Sequence, residues 1–599
     1  MNRERPGPDP RAEYEVRIRA RRARALQQAR ADHALSASRI GLGVAFLVLW
    51  WFTLGPDGVT PLVLLLPVVV FAVVAVVHEA VARRRRVAER AVAFYDRGLA
   101  RLEDRWAGQG EMGTRFLDES HPYAADLDLF GRASLFELLC TARTRAGQET
   151  LARWLRAPAS PDEVRARQAA VAELRPALDL REALALLGED VRSGTDPDAL
   201  VRWSTAPAVS FPRGARMVSA ALAALNVLAA VAWGLGAGGH LLVLTLAAAG
   251  AWALWVHPGV ERAIGAGDRP GRDLNLLAHF LARLERERFE APLLAALRAR
   301  LDTDGLAPSL QVRRLARLQD LLESRRNQFF APIALPLLWS TQLALAVESW
   351  RLGVGPRVPE WLAAVGDFEA LCALASHAYE RPADPFPEIV DQGPCFDGTG
   401  LGHPLLPATV CVRNDVRLDG DQRLLLVSGS NMSGKSTLLR TVGVNVALAL
   451  AGATVRASAL RVSPLALGAS IRILDSLEGG SSRFYAEITR LRQLMDLAGR
   501  RPHLLFLLDE ILHGTNSADR RVGAEAVIRG LLERGAVGLV TTHDLALSRV
   551  AEDLAPQARN VHFEDHLEDG RIAFDYKLKD GVVQRSNALA LMRAVGLDV

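Results

Sequence analysis

Residues 429–437, GSNMSGKST, have the residue types and spacing of a phosphate-binding loop, G-x-x-x-x-G-K-[ST]. An apolar run at 424–427 precedes them and a stretch of helical character at 438–450 follows, as such a loop requires. Backbone amides and the positive end of the helix then face phosphate oxygens, Lys435 reaches the β and γ phosphates, and Ser436 offers a hydroxyl to Mg²⁺. The alternative is a chance turn rich in glycine and serine. The predicted nucleotide-binding residues are Gly429, Ser430, Asn431, Met432, Ser433, Gly434, Lys435, Ser436 and Thr437.

Lysine usage supports this interpretation. The chain has 72 basic residues, but only three are lysines, at positions 435, 577 and 579. The planar guanidinium of arginine cannot replace a compact ammonium in a tight phosphate cradle. A sequence that otherwise uses arginine has therefore kept lysine where phosphate chemistry requires it.

Two acids and a histidine follow the loop at the ends of predicted strands. The buried-strand pattern at 503–511 ends in Asp509, which would complete the Mg²⁺ shell, and Glu510, which would activate the attacking water. The strand at 538–545 ends near His543, which would contact the γ phosphate. Solvated acids and a structural histidine are the alternatives for these positions when each is taken alone. The complete set predicts phosphoryl transfer to water, with Lys435, Glu510 and His543 as catalytic residues and Ser436 and Asp509 as metal ligands.

Four segments, in order and spacing, resemble the ATPase domain of the MutS family, within the ABC-type ATPases. They are GSNMSGKST, with Ser430 in place of the usual proline, GGSSRFYAEITRL at 479–491, DEILHGTNSADR at 509–520, and TTHD at 541–544. The resemblance implies an α/β domain that hydrolyses ATP with Mg²⁺. It also implies a homodimer in which Ser482, in the signature formed with Phe484 and Glu487, reaches the nucleotide of the opposite subunit.

The resemblance continues upstream of the ATPase domain. Residues 129–174 look like the start of the family's helical core, and residues 361–382 look like its lever helix. Double-stranded DNA is the partner that this resemblance implies. No globular domain carrying the family's Phe-x-Glu wedge fits the sequence, because the only such tripeptide, at 386–388, lies in a proline-rich connector. Mismatch recognition is therefore not expected.

Apolar runs near the N-terminus predict a membrane anchor. Residues 40–54 and 59–77 are nearly free of charge, are separated by the turn sequence GPDG, and have arginines on both outer flanks. Cytoplasmic ends are expected for this hairpin, because arginine-rich flanks stay on that side of a membrane. A second pair, 217–235 and 240–256, is either a further membrane hairpin or a buried helical hairpin. Residues 329–347 are interrupted by two prolines and predict a buried lever segment.

Global composition agrees with this organisation without deciding it. Half of the residues are hydrophobic, the mean hydropathy is +0.10 and the formal net charge is +4. The four cysteines, at 140, 372, 395 and 411, have no paired spacing, so neither a disulfide framework nor a zinc site is predicted.

The predicted protein is a multidomain chain with helical and α/β parts. We expect a multi-pass protein of the cytoplasmic membrane, with the lipid bilayer as a partner and its ATPase domain in the cytoplasm. An ATP-driven transporter subunit is the alternative function, although GGSSRFYAE stands where transporters carry L-S-G-G-Q. The predicted segments are an arginine-rich lead (1–37), a transmembrane hairpin (38–82), a helical linker (83–112), a helical core and lever domain (113–380), a connector (381–403) and the ATPase domain (404–599).

Overall fold

The computed structural model describes residues 9–54, 60–191, 197–265, 271–301, 307–324, 330–430, 432–472, 483–512, 516–568 and 571–583. The chain divides into two compact units. The first unit consists of residues Met1–Gly110 and Tyr379–Pro382, and the second of residues Glu111–Ala378 and Ala383–Val599.

The first unit is built on two long antiparallel helices, α1 (Pro10–Thr53) and α2 (Leu65–Leu102), with a short 3₁₀ helix (Pro61–Leu64) before α2. Ion pairs between Arg11 and Glu103 at 2.9 Å and between Arg22 and Asp96 at 2.9 Å set the antiparallel register. The arginine-rich lead and the first apolar run thus form one helix, and the second apolar run continues into the linker. Hydropathy marks a membrane segment but not a helix end, and no helix breaker separates these segments.

Four helices are long and apolar enough to cross a membrane, judged by length and composition over the part of the chain described. These helices are Pro10–Thr53, Leu62–Leu102, Ala215–Gly234 and His240–Ile264. Large apolar side chains such as Leu47, Val76, Leu228 and Leu254 are exposed on them.

The N-terminal part of the second unit is helical. Several of its helices begin at hydroxyl caps: Thr144 and Ser160 each accept a hydrogen bond from the backbone N–H three residues on, which satisfies an otherwise unpaired donor. Trp361 and Phe368 are buried in its core. The helices are α3 (Leu135–Leu139), α4 (Arg145–Arg156), α5 (Pro161–Leu174), α6 (Leu178–Val191), α7 (Pro197–Ser204), α8 (Ala215–Gly234), α9 (His240–Gly265), α10 (Gly271–Glu285), α11 (Pro292–Arg300), α12 (Pro308–Glu323), α13 (Ala331–Ala334), α14 (Trp339–Val354) and α15 (Val358–Glu380), with 3₁₀ helices at Thr114–Phe116 and Gly355–Arg357.

Over its described residues, the C-terminal part of the second unit contains two sheets and four further helices. The strands are β1 (Glu388–Ile389), β2 (Phe396–Leu401), β3 (Asn414–Leu418), β4 (Leu424–Ser428), β5 (Ala459–Val462), β6 (Leu465–Ser470), β7 (His503–Asp509), β8 (Val537–Thr542), β9 (Ala558–Glu568) and β10 (Arg571–Asp580). The helices are α16 (Lys435–Ala451), α17 (Arg483–Ala498), α18 (Ser517–Glu533) and α19 (Ser548–Asp553), with a 3₁₀ helix at Leu545–Leu547.

The larger sheet positions the site. Its strand order is β10-β9-β4-β8-β7-β6, and only β10 pairs antiparallel. β4, β7 and β8 are almost completely buried, as expected for parallel strands covered on both faces. Because parallel strands end at the same edge of a sheet, the residues after β4, β7 and β8 lie together.

The smaller sheet has the order β1-β5-β2-β3. Its strands β1 and β2 lie within residues 381–403, the segment interpreted from sequence as a connector. Residues 584–599, after β10, lie outside the described residues.

Candidate functional site

The loop of residues 429–434 joins β4 to α16, as the motif predicts. β4 lies between β9 and β8 in the larger sheet, and α16 begins at Lys435. Gly434 is the N-terminal cap of α16 and has φ 104°, a backbone conformation that favours glycine. A Cβ at this position would also lie 3.1 Å from the ring of Tyr576. Asn431 lies outside the described residues.

Lys435 points into this loop. Its side chain is only 6% exposed, and its Nζ donates to the backbone carbonyl oxygens of Gly429 and Ser430, each at 2.9 Å. The same Nζ lies 3.3 Å from Oε1 of Glu510. The hydroxyl oxygens of Ser430 and Ser433 are buried, and neither has a hydrogen-bond partner among the described residues. A buried ammonium, two free hydroxyls and a helix N-terminus fit an oxyanion such as a polyphosphate.

The acids are positioned by pairing between β7 and β8. Asp509 is the register partner of Thr541, whose Oγ1 donates to Oδ1 of Asp509. The same Oγ1 accepts a hydrogen bond of 3.0 Å from the backbone N–H of Glu510, which has φ 48°. One threonine hydroxyl therefore fixes the carboxylate of Asp509 and the backbone of Glu510. The sequence contained Thr541 in TTHD, but only the strand register reveals this role.

His543 follows β8 and lies beside Glu510. Its Nδ1 lies 3.6 Å from Oε1 of Glu510, and its side chain is 44% exposed. Glu510 is thus flanked by the ammonium of Lys435 on one side and the imidazole of His543 on the other. The structure therefore brings Lys435 and His543, the other two residues predicted to be catalytic, to the carboxylate of Glu510.

The signature helix is tied to the segment that follows Glu510. Glu487, on α17, is 2% exposed and accepts a hydrogen bond of 2.5 Å from the backbone N–H of Leu512. Leu512 has φ 62°, so this contact holds an unusual turn in place. Ser482, predicted to act across a dimer, lies outside the described residues.

A cavity of about 670 Å³ opens beside the loop. Met432, Lys435, Ser436, Thr437, Asp509 and Glu510 are among the residues that line it. The lining also includes residues that the motif analysis did not identify: His403, Cys411, Phe563 and Tyr576. No local pattern marks these positions, because they come from two separate segments, residues 403–411 and the β9–β10 hairpin. Their mixed aromatic and apolar character suits a flat ring next to a polyphosphate.

His403 is buried at the edge of this cavity. Burial lowers the pKa of its imidazole from 6.5 to about 4, and the nearby charge of Arg440 contributes in the same direction. Its Nδ1 accepts a hydrogen bond of 3.2 Å from the backbone N–H of Leu405. Both observations describe a neutral imidazole.

Within the described residues, no group of three or more His, Cys, Asp or Glu side chains is arranged to hold a metal ion. Ser436 and Asp509 line the same cavity, and Asp509 is anchored by Thr541. One hydroxyl and one carboxylate suit Mg²⁺, which commonly takes its other ligands from water and substrate phosphates.

Comparison with known proteins identifies the C-terminal region. Residues 425–598 match the model of MutS domain V. An endonuclease MutS2 of Thermus thermophilus is 34% identical over 261 residues, which is 42% of this chain and 32% of that protein. A DNA mismatch repair protein MutS 2 of Halobacterium salinarum is 36% identical over 236 residues, 38% of this chain and 26% of that protein.

A DNA mismatch repair protein MutS of Natronomonas pharaonis is 34% identical over 253 residues, 40% of this chain and 28% of that protein. The matched region thus spans no more than 32% of the length of these three relatives.

Proposed function

We propose that this chain, a MutS-family protein by the domain V that residues 425–598 match, is an ATPase that works as a dimer and is anchored in a membrane. The observation that carries the proposal is the convergence of Lys435, Asp509 and Glu510 on one cavity beside the loop of residues 429–434. Helical segments of the second unit would respond to ATP turnover and act on DNA or a protein partner.

Each residue has a distinct role in this proposal. Lys435 and the loop amides would bind the β and γ phosphates, and Ser436 and Asp509 would hold Mg²⁺. The metal ion would neutralise charge on the phosphate oxygens. Glu510 would accept a proton from the attacking water through its carboxylate, and His543 would orient that water or the γ phosphate.

Phosphate release by the purified full-length chain in detergent tests the proposal. We expect Mg²⁺-dependent ATP hydrolysis that is lost in Lys435→Ala. A wild-type chain that neither binds nor hydrolyses ATP would reject the ATPase assignment. The three relatives named above are described as mismatch repair proteins or an endonuclease, none as a transporter, which favours the MutS-type function over the transporter alternative.

Membrane anchoring is supported by the apolar surface of the four long helices. Exposed large apolar side chains are unfavourable in water over so long a surface, and a bilayer would cover them. Arg39 and Arg85 lie beside the apolar end of the α1–α2 hairpin; the guanidinium of Arg39 is 5.2 Å from the ring centroid of Phe71. By the positive-inside rule, arginines at this position favour cytoplasmic ends for this hairpin, and we propose a cytoplasmic location for the ATPase domain as well.

Double-stranded DNA is the proposed partner of the helical region. Arg298, Arg300, Arg314 and Arg317, on α11 and α12, are exposed and form no ion pair within the described residues. Guanidinium groups of this kind bind backbone phosphates, and such binding weakens as salt rises. A gel shift over a salt series with matched and mismatched duplexes tests DNA binding. The double variant Arg314→Ser/Arg317→Ser should bind more weakly with a smaller salt dependence.

Equal affinity for the two duplexes would agree with the expectation from the sequence that mismatches are not recognised. No shift at low salt with either duplex would remove DNA from the proposal and leave a protein partner.

A further inference from the structure

Arginines are concentrated on the α1–α2 hairpin where its polar part meets its apolar end. The stretches 30–39 and 78–90 together contain seven arginines and three acids, an excess of four positive charges. The formal net charge of the whole chain is also +4, so all the other residues together carry as many acids as bases. This short section of the first unit therefore accounts for the whole excess of positive charge.

The three acids of this section already have arginine partners. Oδ2 of Asp32 accepts a hydrogen bond of 2.9 Å from Nη1 of Arg85. Glu89 pairs with the same arginine at 2.8 Å, and Glu79 pairs with Arg86 at 3.1 Å. Neutralisation within the section is thus used up by Arg85 and Arg86.

Three other arginines of the section are not engaged in this way. Arg30, Arg83 and Arg84 are exposed, and their side chains form no ion pair or hydrogen bond within the residues that the structure describes. We call these three residues the arginine collar. An exposed guanidinium without a protein partner is available to an anion outside the chain.

The arginine collar lies at one level along the hairpin. Asp32 of α1 lies 3.0 Å from Nε2 of His78 and 2.9 Å from Nη1 of Arg85, both on α2. The two collar residues of α2 lie between those two contacts in the chain, and the collar residue of α1 precedes Asp32 by two positions. With a rise of about 1.5 Å per residue, all three lie within about 10 Å along the hairpin axis.

The exposed apolar surface begins close to this level. Val76 and Val77 on α2 are exposed, and Arg83 follows Val77 by six residues, about 9 Å along the helix. Lipid headgroups form a layer of roughly 5–8 Å outside each face of the hydrocarbon core, and long arginine side chains extend toward that layer. With the apolar end of the hairpin in a bilayer, the collar would lie among the headgroups.

The directions of the collar residues favour a membrane over a folded partner. Arg83 and Arg84 are neighbours in the chain and therefore lie about 100° apart around α2, while Arg30 lies on the other helix. A DNA duplex or a globular protein would cover one side of the hairpin, whereas a headgroup layer surrounds it. Guanidinium groups bind phosphate through two parallel hydrogen bonds, and a phosphate without a neighbouring amine keeps its full negative charge.

We propose that the arginine collar binds the headgroups of anionic phospholipids and so selects the lipids around the α1–α2 hairpin. The inference rests on the proposed membrane anchoring and adds the class of lipid. Burial of apolar helices in a bilayer requires no particular headgroup, because it depends on hydrocarbon alone. A preference for anionic lipid therefore depends on the collar and not on the anchor itself.

The test uses the full-length chain reconstituted in phosphatidylcholine vesicles. Trace amounts of spin-labelled phosphatidylglycerol or spin-labelled phosphatidylcholine are added, and electron paramagnetic resonance measures the fraction of each label immobilised next to the protein. We expect the wild type to associate with phosphatidylglycerol at least about threefold more strongly at low salt. The preference should fall toward equality in about 0.5 M NaCl, because salt screens exposed charges.

The double variant Arg83→Gln/Arg84→Gln should lose most of this preference, and addition of Arg30→Gln should abolish it. Glutamine keeps helix propensity, and the collar side chains are exposed, so the hairpin should fold normally. Both variants should immobilise phosphatidylcholine as the wild type does.

The matched control is Arg11→Gln/Arg22→Gln, which removes the same charge from the same hairpin. These arginines are exposed but paired with Glu103 and Asp96, nearer the other end of the hairpin. The control should keep the preference for phosphatidylglycerol. An equal loss in both double variants would overturn the inference, since it would indicate an effect of net charge alone.

Equal immobilisation of the two labels by the wild type would overturn the inference and leave the proposed anchoring intact. A wild-type chain that immobilises neither label would overturn the anchoring and the inference together. Loss of DNA binding in Arg83→Gln/Arg84→Gln with an unchanged lipid preference would assign the collar to nucleic acid and overturn the inference.

Discussion

The ammonium of Lys435 lies 3.3 Å from a carboxylate oxygen of Glu510, the residue predicted to activate water. The lysine is buried, whereas the side chain of Glu510 is 26% exposed and also faces His543 at 3.6 Å. A phosphate entering the loop would compete with Glu510 for the lysine. Binding would then leave the carboxylate free to accept a proton from water.

Lys435→Ala should weaken nucleotide binding by about a hundredfold, because charge-assisted hydrogen bonds to a polyphosphate contribute about 3 kcal/mol. Equilibrium binding of a fluorescent ATP analogue measures the loss. Lys579→Ala is the control, since this lysine forms exposed ion pairs with Glu564 and Asp575 on the β9–β10 hairpin. Wild-type affinity in Lys435→Ala would contradict the position assigned to the phosphates.

Glu510→Gln should bind ATP normally but hydrolyse it at least about a hundredfold more slowly, because an amide cannot accept the proton from water. Single-turnover hydrolysis separates this effect from binding. The variant with ATP bound should then accumulate as a stable dimer, which light scattering detects. Glu533→Gln, an exposed glutamate at the end of α18, should behave as the wild type. Unchanged turnover in Glu510→Gln would show that another group acts as the base.

Thr541→Val should lower kcat about tenfold with little change in ATP affinity, because the methyl group keeps the volume but removes the Oγ1 that joins Asp509 to the backbone of Glu510. Thr541→Ser keeps the hydroxyl and should recover most of the rate. Thr454→Val is the matched control, since Thr454 is a buried threonine whose hydroxyl has no hydrogen-bond partner in the part of the chain that the structure describes. Equal kcat in the valine and serine variants at position 541 would exclude this role.

Acid should destabilise the nucleotide-binding part through His403. The folded pKa of its imidazole is about 4, below the ordinary value of 6.5, so protonation favours the unfolded chain between these values. The stability is complete above pH 6.5 and is lost as the pH falls from 6.5 to 4, by about 3 kcal/mol in total. Calorimetry of the full-length chain measures this loss. The transition to follow is the unfolding transition whose midpoint temperature rises when ATP is added.

The variant His403→Asn should flatten that dependence on pH, since the amide keeps an acceptor for the backbone N–H of Leu405 without a titrating ring. His562→Asn should keep the full dependence, because His562 pairs with the carbonyl of Gly581 in an exposed position. Equal pH profiles for the wild type and His403→Asn would assign the acid sensitivity to other groups.

The sequence predicted those site residues whose spacing is set by local chemistry. Lys435 and Ser436 must follow Gly434 directly, and Asp509 and Glu510 must end a buried strand, so short motifs contain them. Thr541 acts through strand register, and His403 and Tyr576 reach the cavity from segments far away in the chain. Such contacts depend on the folded topology, and no spacing in the sequence encodes them.

The long apolar stretches show the same limit in another form. Hydropathy identified all four apolar stretches, because twenty apolar residues cannot be covered by a small core. The ends of α1 and α2 lie far outside those stretches, since arginine and alanine continue a helix as well as leucine does. The predicted lead, hairpin and linker are therefore parts of two helices.

Two spans and four spans make different predictions for the turn of the α8–α9 hairpin. With four spans, a cysteine introduced at Ala237, in the turn between Gly234 and His240, lies outside the cytoplasm. With four spans, an impermeant maleimide added to intact cells should label Ala237→Cys. Thr60→Cys, which precedes α2, should be labelled whether the chain has two spans or four. Cys411, half-buried in the ATPase domain, should react only after the membrane is opened, which controls for leakage. Labelling of Thr60→Cys without labelling of Ala237→Cys would show that α8 and α9 lie on the cytoplasmic side. If neither variant is labelled, the proposal that the α1–α2 hairpin crosses the membrane is rejected.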